Sequence, residues 1–132
     1  MQSWQTVFLI LFLLLNTLIA AKSFRECKNR KNAYGRTPSL YLLGIYVWGD
    51  GVIFGVFWSL AAIASLLLSD WILFLLIASV FWLVRTSGET IYWFNQQFST
   101  VIRYSPKEIP FHNIFHDDSV WFVFQIVNQC IT

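Results

Sequence analysis

Charge is scarce in this sequence. Lys, Arg, Asp and Glu make up 12% of its 132 residues, about half the roughly 25% of soluble globular chains. Apolar residues reach 57%. A water-soluble fold of this length leaves much of its surface exposed and has too little polar surface to clothe such a chain. The composition therefore excludes an ordinary soluble domain and points to a bilayer as the solvent.

Cysteine is scarce too. Cys27 and Cys130 stand far apart without paired spacing, which excludes a disulfide framework. In a cytoplasmic segment Cys27 would stay reduced. There is no internal repeat, no low-complexity tract and no glycine loop of the phosphate-cradling kind. No Ser-His-Asp or Cys-His arrangement can be assembled. Neither an enzyme nor a cofactor is expected.

What the chain does have is long apolar runs. The first, Trp4 to Ala21, is about 27 Å long as a helix, enough to cross a hydrocarbon core of about 30 Å. No basic residue precedes Lys22, and Ile19-Ala20-Ala21 makes a poor cleavage site, so an uncleaved anchor is preferred to a signal peptide. A polar loop over residues 22–39 follows, with turn chemistry at Tyr34-Gly35-Arg36-Thr37-Pro38. A second apolar helix over about 41–69 meets a third over about 70–98, with only Ser69-Asp70 between them. Asp70 suits an N-cap, and so short a connection makes an antiparallel hairpin. Tyr46 and Trp48 before the second run, with Tyr92 and Trp93 after the third, suit one membrane interface. They trim the spans to about Gly49–Ser69 and Asp70–Ile91.

Basic residues set the orientation. Lys22, Arg25, Lys28, Arg30, Lys31 and Arg36 crowd the first loop. With the N-terminus outside, that loop and also Arg85, Arg103 and Lys107 fall on the cytoplasmic side, as the positive-inside rule requires. The partner of the loop is then the anionic headgroups of the cell membrane rather than nucleic acid. After a polar segment, 99–118, residues 119–132 turn apolar again. Their 13 or so helical residues are too short to span, and their all-round apolar character without Lys or Arg favours a fourth span cut short over an interfacial helix. The expected fold is all-α: a transmembrane bundle of three spanning helices, a hairpin of the second and third, and an incomplete C-terminal apolar helix.

Several constellations stand out. In a hairpin turning at Ser69-Asp70, Asp50 lies level with Glu89, and Arg85 lies one turn deeper. Ala61 and Ala78 fall on the same faces as the two acids and permit close approach. This charged cluster reads either as an ion-paired clamp or as a proton, ion or headgroup site. Gly51, Gly55 and Ser59 form a small-residue stripe for packing against the first span or against a second copy or another membrane protein. His112 and His116, spaced i, i+4, share a helical face, but no third ligand completes a metal site. The run Asn95-Gln96-Gln97 reads as a solvated helix end.

The run Leu43-Gly44-Ile45-Tyr46-Val47-Trp48-Gly49-Asp50, together with Arg85 and Gly88 to Phe98, resembles small multi-pass bacterial membrane proteins of no known activity. The resemblance covers most of the chain from Asn32 onwards. It implies a further apolar segment beyond Thr132, no activity, and no functional residues to carry over. The expected role is a non-enzymatic accessory or assembly component packing against other membrane helices. The alternative is a small transporter or channel subunit using Asp50, Arg85 and Glu89.

Overall fold

A computed structural model of the protein describes residues 1–101, 105, 107, 113–114 and 119–132. Its elements are α1 (Ser3–Arg30), a 3-10 helix (Pro38–Leu43), α2 (Trp48–Leu67), α3 (Trp71–Phe98) and α4 (Ser119–Ile131). Among the described residues the fold is all-helical, with one isolated bridge between Arg36 and Val47. The helices α1, α2 and α3 are each long and apolar enough to cross a membrane. The chain forms two compact units, Met1–Ala78 and Ser79–Thr132, and their boundary falls inside α3.

Two boundaries depart from the sequence reading. The loop expected over 22–39 begins only after Arg30, because α1 carries on through most of the basic stretch. Nothing between Lys22 and Arg30 breaks a helix, and cations suit its negative C-terminal end. Arg30 reaches back to Glu26 at 3.0 Å. The helix stops at Lys31, which takes a left-handed conformation (φ 51°), and the Asn32 N–H donates to the Glu26 carbonyl. The second helix, expected from about residue 41, starts instead at Trp48. The apolar residues before it form the 3-10 helix, ended by Gly44 at φ 71°.

In the first unit α1 and α2 pack directly. Leu9, Asn16 and Ser23 are fully buried on α1, seven residues apart; Gly51, Trp58 and Ser65 are buried at the same spacing on α2. A seven-residue repeat is that of helices winding around each other at a shallow angle. The contacts run in opposite senses along the pair. Gly51 faces Ser23, Gly55 faces Ala20, and the Ser59 and Thr17 hydroxyls are 3.3 Å apart. The pair is therefore antiparallel. At the far end, rings from three helices meet edge to face. Trp71 contacts Trp4 and Phe8, and Phe74 contacts Phe8, Phe12 and, at a tilt, Trp58, with centroids 5.3–6.4 Å apart. Such pairs each contribute about 0.5–1.5 kcal/mol beyond burial. Ser69, at φ 50°, turns the chain, and Asp70 caps α3 by accepting from the Ile72 and Leu73 N–H groups.

In the second unit α4 lies on the C-terminal half of α3. Val120 and Trp121 are buried against Trp93 and Phe124. Thr132 donates to the Thr86 hydroxyl at 2.7 Å, and Gln97 donates to Gln125 at 2.6 Å. As α3 advances from 86 to 97, its partners on α4 retreat from 132 to 125, so these two helices are also antiparallel. The buried positions of α4, namely Val120, Trp121, Gln125 and Asn128, make one face.

Candidate functional site

The polar groups of the second unit form a ladder along one side of α3. Its rungs are Arg85, Glu89, Trp93 and Gln97, each four residues from the last, so they stack on one helical face. Arg85 Nη1 lies 2.8 Å from Glu89 Oε1, with the two side chains only 17% and 14% exposed. The other carboxylate oxygen, Oε2, accepts from the Trp93 indole at 3.0 Å. Gln97 donates to the Trp93 carbonyl at 3.2 Å and crosses to Gln125 on α4. The carboxylate is thus held at both oxygens. Such an arrangement carries a paired charge through an otherwise apolar helix and lets polar side chains bind α4.

Gln96 and Gln97 do not behave as a solvated helix end. Gln96 is 4% exposed, and Gln97 is the rung that reaches α4. The regular four-residue spacing from Arg85 was the sequence signal for this. It was hidden because Trp93 reads as an interface aromatic unless its indole N–H is counted as a donor.

Asp50 belongs to the first unit, whereas Arg85 and Glu89 belong to the second. Asp50 sits in the first turn of α2 and accepts from the Tyr46 N–H at 3.1 Å. There it satisfies a backbone donor just before the helix and suits the positive end of the helix dipole. Ala61 is buried and Ala78 is half-buried.

The small-residue stripe faces α1 of the same chain. A methyl group added at Gly51 would collide with the Ser23 hydroxyl, and one at Gly55 would stand 3.0 Å from the Ala20 nitrogen and 3.1 Å from its Cα. The close approach leaves three fully buried polar atoms without a hydrogen-bond partner: Asn16 Oδ1, Ser23 Oγ and Ser65 Oγ.

The basic cluster occupies the last turns of α1 and the start of the connection to α2. Lys22 places its ammonium 5.0 Å above the Trp48 ring, and Lys28 lies over Phe24. These stacked cations sit where α1 and α2 leave their apolar sections, a placement suited to anionic groups. Both cysteines are free thiols. His112 and His116 lie outside the described residues.

No protein-family model, curated protein or solved structure matches the chain.

Proposed function

We propose that this chain is a non-enzymatic component of a cell-membrane assembly, a small helical scaffold that packs against other membrane helices. The observation that carries the reading is the double engagement of Glu89. Its oxygens are taken by Arg85 and by the Trp93 indole, both on α3 itself, so the charge is answered within this apolar helix. The outward faces remain strongly apolar: Leu11, Leu18, Ile53, Ile72 and Val84 are all more than 60% exposed, and lipid or neighbouring helices would cover them.

In this reading the N-terminus is outside and the basic stretch is cytoplasmic against anionic headgroups, an orientation supported by the positive-inside rule because it puts all nine Lys and Arg on one side. The helices α2 and α3 form the antiparallel hairpin. The capped turn at Ser69-Asp70 and the contact of Trp58 with Phe74 support that arrangement.

A second reading, a small transporter or channel subunit drawing on Asp50, Arg85 and Glu89, is favoured by the burial of Arg85 and Glu89 within a spanning-length helix. Intramembrane charges often mark ion pathways. Reconstitution separates the two. The scaffold reading expects proteoliposomes to move no more protons or cations than protein-free vesicles, while the chain extracted from its own membranes in mild detergent runs larger than the purified chain. Flux that disappears in Glu89→Gln, with helix content unchanged, would establish the transporter instead.

A further inference from the structure

The segment between α1 and α2 does not cross directly from one helix to the other. Residues 33–37 and 46–49 lie side by side: Gly49 N–H donates to Ala33, Trp48 N–H to Gly35, and Thr37 N–H to Tyr46. Residues 38–45 form a lobe projecting from this paired base. Its tip is fixed by the Trp58 indole, which donates to the Leu43 carbonyl at 3.0 Å. Trp58 lies ten residues into α2, about 15 Å along the axis from Trp48. A helical side chain reaches back about one turn, which leaves Leu43 about 10 Å beyond the start of α2. Ile45 is fully buried, and its Cγ2 lies 3.4 Å from where a Cβ on Gly51 would stand. The lobe therefore turns back alongside the very helix that it leads into.

Its chemistry matches that depth. From Pro38 to Val47 there is no charged residue. The backbone groups are answered internally: Leu40 N–H by Thr37, Gly44 N–H by Tyr41 and Ile45 N–H by Leu40. The Ile45 carbonyl accepts from the Thr37 hydroxyl, and Tyr46 N–H donates to Asp50. Non-helical backbone survives at membrane depth only when its polar groups are satisfied in this way. Meanwhile Leu42, at the outer side of the tip, is 89% exposed. A leucine so bare, on a lobe whose Leu40, Gly44 and Ile45 amides are all bonded within it, fits contact with acyl chains.

We propose that residues 38–45 are a re-entrant lobe inserted among the phospholipid acyl chains of the leaflet next to the basic cluster, with Leu42 as its lipid-facing tip. The proposal rests on the membrane-spanning reading of α2. The lobe gives the long apolar stretch from Leu40 a second membrane role besides spanning. Arg36 before it and Lys22 over Trp48 then stand at the level of the lipid phosphates.

Spin labels report the depth. In a Cys27→Ser, Cys130→Ser background reconstituted in vesicles of phosphatidylcholine and phosphatidylglycerol, single cysteines are placed at Leu42, Ser39, Ile53 and Tyr34. Collision rates with oxygen, which concentrates in hydrocarbon, are compared with those of a water-soluble nickel chelate. The expected result is an oxygen-to-nickel ratio at Leu42 several-fold above that at Tyr34 and close to that at Ile53, which is exposed on α2. A label at Leu42 as accessible to nickel as that at Tyr34, with Ile53 still in hydrocarbon, overturns the lobe and leaves the span intact. Nickel access at Ile53 as well overturns the span and the lobe together. Ser39, also exposed, gives a second reading of the lobe should labelling at Leu42 disturb it.

Discussion

Gly55 and Ala20 bring the backbones of α2 and α1 into direct contact: a Cβ on Gly55 would stand 3.0 Å from the Ala20 nitrogen. A main-chain atom cannot swing aside as a flexible side chain can. Gly55→Ala should therefore push the helices apart and cost about 1–3 kcal/mol, the usual range for overpacking. Gly88 is the control, since nothing stands within 4 Å of the Cβ it lacks. Gly88→Ala should be neutral or stabilise by up to about 1 kcal/mol through helix propensity. Thermal unfolding of both variants in one detergent would show Gly55→Ala destabilised and Gly88→Ala not.

The Arg85–Glu89 pair should behave as a unit. Removing either partner takes a 2.8 Å ion pair from a mostly buried charge and should cost about 3–5 kcal/mol. Arg85→Leu with Glu89→Leu together should cost well below the sum of the two single changes. Additive losses in a double-mutant cycle would show that the pair does not couple.

Ser65 offers a change in the opposite direction. Its hydroxyl is fully buried and without a partner, so it contributes desolvation cost and no bond. Ser65→Ala should raise the unfolding midpoint slightly, by the equivalent of about 1 kcal/mol. A marked loss of stability would mean that the hydroxyl is bonded after all.

The Trp58 indole holds the tip of the lobe. Trp58→Phe keeps most of the ring volume but leaves the Leu43 carbonyl unanswered, at a cost of about 1–3 kcal/mol. Hydrogen exchange should rise at Leu40, Gly44 and Ile45, whose amides bond within the lobe, and stay unchanged around Leu9 and Asn16. Uniform exchange across both regions would show that the indole bond does not hold the lobe in particular.

The sequence and the structure agree where cause and effect are close together along the chain. Run length makes the three long apolar helices legible, and Asp70 announces itself as a cap because Ile72 and Leu73 are its immediate neighbours. The end of α1 is hard to place from sequence because Gly35 and Pro38 are conspicuous, whereas the nine residues from Lys22 to Arg30 simply contain nothing that stops a helix. The lobe is hidden for another reason. Leu40 to Val47 is as apolar as the helix that follows, and its fold depends on bonds from Thr37, Asp50 and Trp58. The Glu89 ladder is half visible in sequence: Arg85 one turn away is a charged partner, but Trp93 and Gln97 do not announce themselves as donors. Sequence could place the Gly51, Gly55 and Ser59 stripe on a packing face, yet it could not choose the neighbour. Ala20 and Ser23 reveal the choice only once α1 and α2 are seen side by side.

The pairing of α1 with α2 inside one chain is the centre of this account, and a disulfide tests it most directly. Thr17→Cys and Ser59→Cys, in a Cys27→Ser, Cys130→Ser background, replace hydroxyls that lie 3.3 Å apart. Mild oxidation in isolated membranes should consume both thiols and leave the protein monomeric on a non-reducing gel. Free thiols after oxidation, or a dimer cross-linked between chains, would contradict it.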